Sequence, residues 1–215
     1  MILDYFTKNR NYLILIFTVG YFITFLVNAF IQGNLEFIYY IFLLSGLIFV
    51  IVILNRFLHL AFFIIFNLSL MGFFHLLGGN LYLGATRLYD YYFIAGFLKY
   101  DNFVHVYGTF IATIILYNLI SPIVADHIRK NYLLLAIGLV LMAIGIGALN
   151  ELVEFLAVLF FNAAEQVGGY FNNSLDLLFN TLGAIIGSVV IYFYVERPKY
   201  FQPLKKLNEP GRKTN

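Results

Sequence analysis

The chain has no cysteine, which excludes disulfides, thiolate metal sites and thiol nucleophiles. Charge is scarce as well: Asp, Glu, Lys and Arg together make up 11% of the 215 residues. The apolar runs lack the alternation over about ten residues that marks a membrane β-barrel. Three of the four prolines, Pro198, Pro203 and Pro210, fall in the last stretch of the chain, where they punctuate a basic tail.

What is present is apolar. Hydrophobic residues account for 62% and the mean hydropathy is +0.87. Runs of about 20 residues recur, the length that crosses a ~30 Å hydrocarbon core. Windows at residues 12–31, 35–54, 58–77, 103–120, 133–161 and 175–195 predict an all-α, polytopic membrane helix bundle with six transmembrane helices. They form one domain over residues 1–197, followed by a tail over 198–215. With six spans and the N-terminus inside, eleven Lys and Arg residues lie on the cytoplasmic side and only Arg87 and Lys99 on the other. That asymmetry places both termini in the cytoplasm and the chain in the cell membrane. The first apolar run has no small-residue cleavage site and is expected to remain as an anchor. The net charge of +2 comes mainly from the tail; it suits the lipid bilayer as partner and gives no support for nucleic acid.

Along the chain, Asn28, Gln32 and Glu36 cluster at the first outer turn, where solvation explains them. Asn67 and Ser69 fall mid-span, at positions for helix–helix hydrogen bonds. The Gly78-Gly79 pair is expected to stop the third helix. The connection over 80–100 interleaves Tyr82, Tyr89, Tyr91, Tyr92 and Tyr100 with aliphatic residues. It reads as an interfacial or partly re-entrant segment, serving as a lid or as an aromatic belt. The 133–161 run is too long for an upright span and is expected to tilt or to break at Gly145 and Gly147. Gly183-Ala184-Ile185-Ile186-Gly187 is a small-xxx-small face for close packing within the bundle.

Polar groups gather at one depth. His75 ends the third helix, and Asp101 and His105 share a face at the start of the fourth. Glu151 and Glu154 share a face in the outer half of the fifth, as do Asp176 and Asn180 at the start of the sixth. The other halves of spans four to six carry no such groups. Each member has a structural reading: Asp101 and Asp176 at helix N-termini, His75 at the interface, Asn180 as inter-helix glue. Glu151 and Glu154 resist it, because carboxylates one turn apart repel unless a proton, cation or donor lies between them.

Three chemistries suit the set. His75, Asp101, His105, Glu154 and Asp176 can ligate a divalent metal, the cofactor this pattern admits, with hard oxygens favouring Mg²⁺, Mn²⁺ or Ca²⁺ and imidazole admitting Zn²⁺ or Fe²⁺. Glu151, Glu154 and His105 can act as catalytic acid and base on an envelope lipid headgroup or lipid-linked substrate. Asn180, Asn102 and Arg87 are the candidate substrate contacts. The set also suits a proton-coupled transporter or a structural polar network in a binding or assembly protein.

The order His75-x-x-Gly78-Gly79, Asp101-Asn102-x-x-His105-x-x-Gly108, Asn150-Glu151-x-x-Glu154-Phe155 and Asp176-Leu177-x-x-Asn180-x-x-Gly183-Ala184 resembles the YjdF-type family of predicted inner-membrane proteins. The match covers more than half the chain. Its last element also resembles the VanZ-like membrane proteins, which are linked to glycopeptide tolerance at the cell envelope. The resemblance implies a multi-pass protein in which these polar residues are a shared feature, and it names no reaction. Asn102 stands where the family often has a basic residue, and Asn150 where an aromatic one is common.

Overall fold

The structure, a computed structural model, describes residues 2–58 and 60–197, so the tail expected over 198–215 lies outside the described residues. The chain runs through helices α1 (Ile2–Gln32), α2 (Leu35–Leu58) and α3 (Phe62–Asn80). A β-structured connection follows, then α4 (Tyr100–Ile120), the short α5 (Asp126–Lys130) and α6 (Tyr132–Phe161). The short α7 (Ala164–Val167) leads to α8 (Tyr170–Ile191), which continues as a π turn over Tyr192–Glu196. Six helices, namely α1, α2, α3, α4, α6 and α8 with its extension, are long and apolar enough to cross a membrane. Their outer faces keep large apolar side chains exposed, among them Ile23, Phe49, Leu141 and Phe160, as contact with hydrocarbon demands.

The most extensive pairing is α4 with α8, and α6 packs against both. The expected small-residue face explains it. A Cβ on Gly183 would stand 2.2 Å from the Val106 carbonyl oxygen, and one on Gly187 would stand 2.9 Å from Cβ of Thr113. Only hydrogen at those positions lets the two backbones approach so closely. The second group, α1 with α3, is joined to α4 through α3. Ser69 meets Thr18 at 2.6 Å and its carbonyl accepts from Tyr21, while Tyr107 donates to Asn67 at 2.5 Å. Both mid-span polar residues of α3 therefore serve helix–helix contacts.

Several sequence expectations are corrected. Gly78 and Gly79 do not stop α3, which runs on to Asn80. The pair instead makes room for rings: a Cβ on Gly79 would lie 1.7 Å from Phe37, and one on Gly78 would lie 2.6 Å from Tyr89 and 2.8 Å from Tyr100. Of the two outcomes expected for the long α6, tilt or break, the break is excluded: the helix is continuous through Gly145 and Gly147. The second of these glycines yields space to the Asn180 side chain, 2.7 Å from where its Cβ would be. Glu36 is not solvated; it is buried against Arg87. The opposite end of the bundle is not free of buried acid either. The π turn extends the last span and buries Glu196, which accepts a hydrogen bond from Tyr117.

The connection after α3 is two small hairpins. Strand β1 (Tyr82–Leu83) pairs antiparallel with β2 (Thr86–Arg87), and β3 (Tyr92–Ile94) pairs with β4 (Leu98–Lys99). Gly84 and Gly96 take the left-handed conformation that the turns require, at φ +65° and +73°. A 3₁₀ turn, Leu88–Asp90, lies between the hairpins and directs Arg87 and Tyr89 inward. The stretch from Tyr91 to Phe97 keeps its aromatic side chains outward.

The packing predicts a sharp contrast between two glycines. Gly183→Ala has to push against backbone and should destabilise the protein by about 2 kcal/mol or more. Gly145→Ala, which meets nothing within 4 Å, should be neutral or slightly stabilising. Thermal unfolding of both variants in mild detergent checks the pair.

Candidate functional site

Three helices bring the site together. His105 on α4 is its centre, placed there by the close approach of α4 to α8. Its Nε2 lies 3.3 Å from Asp101 Oδ1, 3.7 Å from Asp176 Oδ1 and 3.9 Å from Glu154 Oε1. Its Nδ1 lies 3.3 Å from Asn180 Oδ1 and 3.6 Å from Glu151 Oε1. Each ring nitrogen thus faces oxygen. That suits an imidazole protonated at both nitrogens, or a neutral ring with a cation in place of one proton.

The groups around this centre are held from behind. Asp176, fully buried, accepts from Asn102 at 3.2 Å and from Asn172 at 2.7 Å. Lys99 donates to Asn172 and lies 3.5 Å from Asp101. The same Asn102 caps its own helix, accepting the Lys99 backbone N–H at 2.9 Å. Glu154 accepts from Asn150 at 2.8 Å. Two members stand out because they lack such support. Both Glu151 oxygens and the Asn180 Nδ2 are buried and make no hydrogen bond among the described residues. Asp101, His105 and Asp176 offer ligand atoms within 4.8 Å of one another, and so do His105, Glu151 and Glu154.

Charge does not balance. Four carboxylates, Asp101, Glu151, Glu154 and Asp176, face one lysine and one imidazole. Even with His105 protonated, two negative charges remain in excess. Uncompensated charge in a low-dielectric interior costs several kcal/mol per ion. Shared protons or a divalent cation therefore have to meet the excess.

The expected residues separate into two layers. Asp101, His105, Glu151, Glu154, Asp176 and Asn180 meet, and Asn102, expected as a substrate contact, joins them through Asp176. His75 belongs to neither ligand grouping. It packs among the Phe37, Tyr40 and Tyr89 rings and shares a 2.5 Å hydrogen bond with Tyr89 through Nδ1. Burial, reinforced by the Asp101 and Glu154 carboxylates, holds the Tyr89 phenol well above its ordinary range. Arg87 is buried with Glu36 at 3.1 Å and Asp90 at 3.1 Å, and its guanidinium lies 5.7 Å from the Tyr89 ring centre. Burial alone would lower the Arg87 pKa, but the Glu36 and Asp90 charges outweigh it and hold Arg87 above its ordinary value.

An approach leads in from the surface. A vestibule of about 690 Å³ is walled by the α1–α2 turn, the first hairpin and the end of α6. It shares Glu36, Arg87 and Asp90 with a narrow crevice of about 30 Å³, whose walls include His75, Asp101 and Glu154. A space of that size admits a water molecule. Asp101 and Glu154 are thus the cluster members that line the approach.

Sequence reasoning missed Asn172, Glu36 and Asp90 as parts of the site. Asn172 had a signal: it precedes Asp176 by four residues and extends the stripe through Asn180 and Gly183 on one helical face. Asp90 had one too, standing three residues after the candidate Arg87, whereas Glu36 carried none, since Arg87 is remote from it in sequence.

A family model described as a predicted membrane protein, DUF2238, matches residues 13–197. No curated protein and no solved structure matches the chain.

The support shell yields a prediction. Asn102→Ala removes both the helix cap and a donor to buried Asp176, and should cost about 2–4 kcal/mol. Asn150→Ala, on the exposed side of Glu154, should cost under about 1 kcal/mol. Denaturant unfolding in detergent micelles separates the two.

Proposed function

The chain belongs to the DUF2238 family of predicted membrane proteins, and we propose that its acid/His cluster is a divalent-metal centre for hydrolytic chemistry on an envelope lipid or lipid-linked substrate. The observation that carries this reading is Glu151. Its buried carboxylate makes no hydrogen bond among the described residues and stands 3.6 Å from His105 in a group with excess negative charge. A cation shared by His105 and the surrounding carboxylates satisfies both conditions at once, and hard oxygen ligands suit Mn²⁺ or Mg²⁺, with imidazole admitting Zn²⁺ or Fe²⁺. Such an ion supplies a polarised water or phosphoryl oxygen. Asp101 and Asp176 hold His105 on its Nε2 side. Glu154, lining the crevice and tethered by Asn150, is placed to take a proton from water that enters there.

We also read the chain as YjdF-type, on the ordered motifs from His75 to Ala184; a VanZ-like relation rests on the Asp176-x-x-x-Asn180-x-x-Gly183 element alone. The Lys/Arg asymmetry supports placing the cluster on the outer side of the cell membrane with both termini cytoplasmic. A second reading, a structural polar network, draws on the dense hydrogen bonding of Asp176, Asn102, Asn172 and Lys99. The unsupported Glu151 speaks against it.

Elemental analysis of protein purified in mild detergent without chelators tests the metal centre. Near-stoichiometric Mn, Zn or Fe is expected in the wild type, lost in folded His105→Ala and reduced in Glu154→Gln. Metal-free wild type, with both variants melting at lower temperature, would assign the cluster to structure. Orientation has its own test, made clean by the absence of native cysteine. Thr86→Cys, in the exposed first hairpin, should react with a membrane-impermeant maleimide in intact cells. Ile123→Cys, exposed at the other end, should react only after permeabilisation. The reverse pattern would turn the cluster inward.

A further inference from the structure

The vestibule carries chemistry of its own. Its polar wall holds three charges in one group: Arg87, with Glu36 and Asp90 each at 3.1 Å. Among the described residues lining the vestibule Arg87 is the only basic one, so a polyanionic ligand would find one cation against two carboxylates. A simple cation would instead have to sit beside the guanidinium. A ligand with both charges avoids either conflict, because its anion can take Arg87 while its ammonium takes a released carboxylate. Asp90 is suited to that exchange: its side chain is half exposed, whereas that of Glu36 is 9% exposed. The guanidinium, 5.7 Å from the Tyr89 ring centre and 6.0 Å from that of Phe37, can keep these ring contacts while its carboxylate partners change. Around this group stand Leu35 and Phe161, exposed apolar side chains at the ends of membrane-length helices, and the exposed Tyr82 of the first hairpin. They offer a surface for acyl chains next to the charged pocket.

We propose that the vestibule binds a zwitterionic phosphate–ammonium headgroup, as in phosphatidylethanolamine, with Arg87 receiving the phosphate and Asp90, backed by Glu36, the ammonium. Arg87 pairs with phosphate through its planar fork, and a primary ammonium brings three donors to the carboxylates. The site names a substrate class for the metal-centre reading and rests on it for that role only. Headgroup capture itself uses no residue of the His105 cluster. The Arg87 triad is also the shared wall of the crevice, so a bound headgroup presents its phosphate towards Asp101 and Glu154.

The experiment is calorimetric titration of delipidated, chelator-treated full-length protein in detergent. The probes are dihexanoyl phosphatidylethanolamine, dihexanoyl phosphatidylglycerol and free O-phosphoethanolamine. Saturable binding of the ethanolamine lipid is expected, about tenfold tighter than the glycerol lipid, the size of one charge-assisted hydrogen bond. Asp90→Asn, at a half-exposed position where folding should not suffer, should erase that preference. The double variant Arg87→Met/Glu36→Gln removes the buried pair together, leaves only the half-exposed Asp90 charged, and should lose both lipids. Equal affinity for the two lipids, or an Asp90→Asn variant with unchanged preference, would overturn the proposal. If free O-phosphoethanolamine binds as tightly as the lipid, the recognised chemistry stands and its source is soluble. Because the protein is metal-free throughout, a failed metal analysis leaves this result intact. Absent headgroup binding, where the untreated protein is found to carry metal, would sink this proposal alone.

Discussion

The approach of α8 to α4 is the constraint from which the rest of the site follows. Hydrogen in place of a side chain at Gly183 and Gly187 lets the two backbones come within contact of each other. One and two turns away on the same faces, Asp176 and Asn180 are thereby set against Asp101, Asn102 and His105. The long, unbroken α6 closes the third side, with Gly147 yielding space to Asn180 and Glu151 and Glu154 reaching His105. In a membrane the helices gain little from hydrophobic burial against one another, so small-residue packing and hydrogen bonds carry the association. The same contacts that assemble the bundle assemble the polar cluster.

Electrostatics then sets the terms on which the cluster can exist. Interior dielectric is low, so an unpaired carboxylate is costly and a paired one is tightly held. Asp176 is paid for by two amide donors, and Asp101 by Lys99 and His105. Neither Glu151 oxygen has a hydrogen-bond partner among the described residues, and the group it faces is the His105 ring. A site that satisfies three of its acids and leaves the fourth facing an imidazole is poised to gain a proton or a cation, and this asymmetry distinguishes it from a finished structural network.

The connection between α3 and α4 couples this interior to the surface. Its outward stretch, Tyr91 to Phe97, has the amphiphilic character that favours a membrane interface. Its inward turn carries Arg87 and Tyr89, which join Glu36 of α2 and His75 of α3. One short segment therefore supplies an aromatic surface and the charged neck between vestibule and crevice. His75, expected among the metal ligands, belongs to this neck, where Tyr89 occupies its Nδ1.

The apolar runs, the six membrane-length helices and the face shared by each polar pair were legible in the sequence, because hydropathy and 3.6-residue periodicity are local properties of one helix. The gathering of Asp101, His105, Glu151, Glu154, Asp176 and Asn180 at one level could be read from their positions along those runs. Partner choice could not. Glu36 looked solvated because nothing near it in sequence is basic, and only the fold of the first hairpin carries Arg87 to it. Gly78 and Gly79 looked like a helix stop because a glycine pair weakens a helix, until the Phe37, Tyr89 and Tyr100 rings from elsewhere in the chain claimed the space above them. The sequence by itself determined which faces are polar and how long each helix is. The tertiary structure decided how each helix is rotated and which faces meet, since that depends on close packing between residues far apart in the chain.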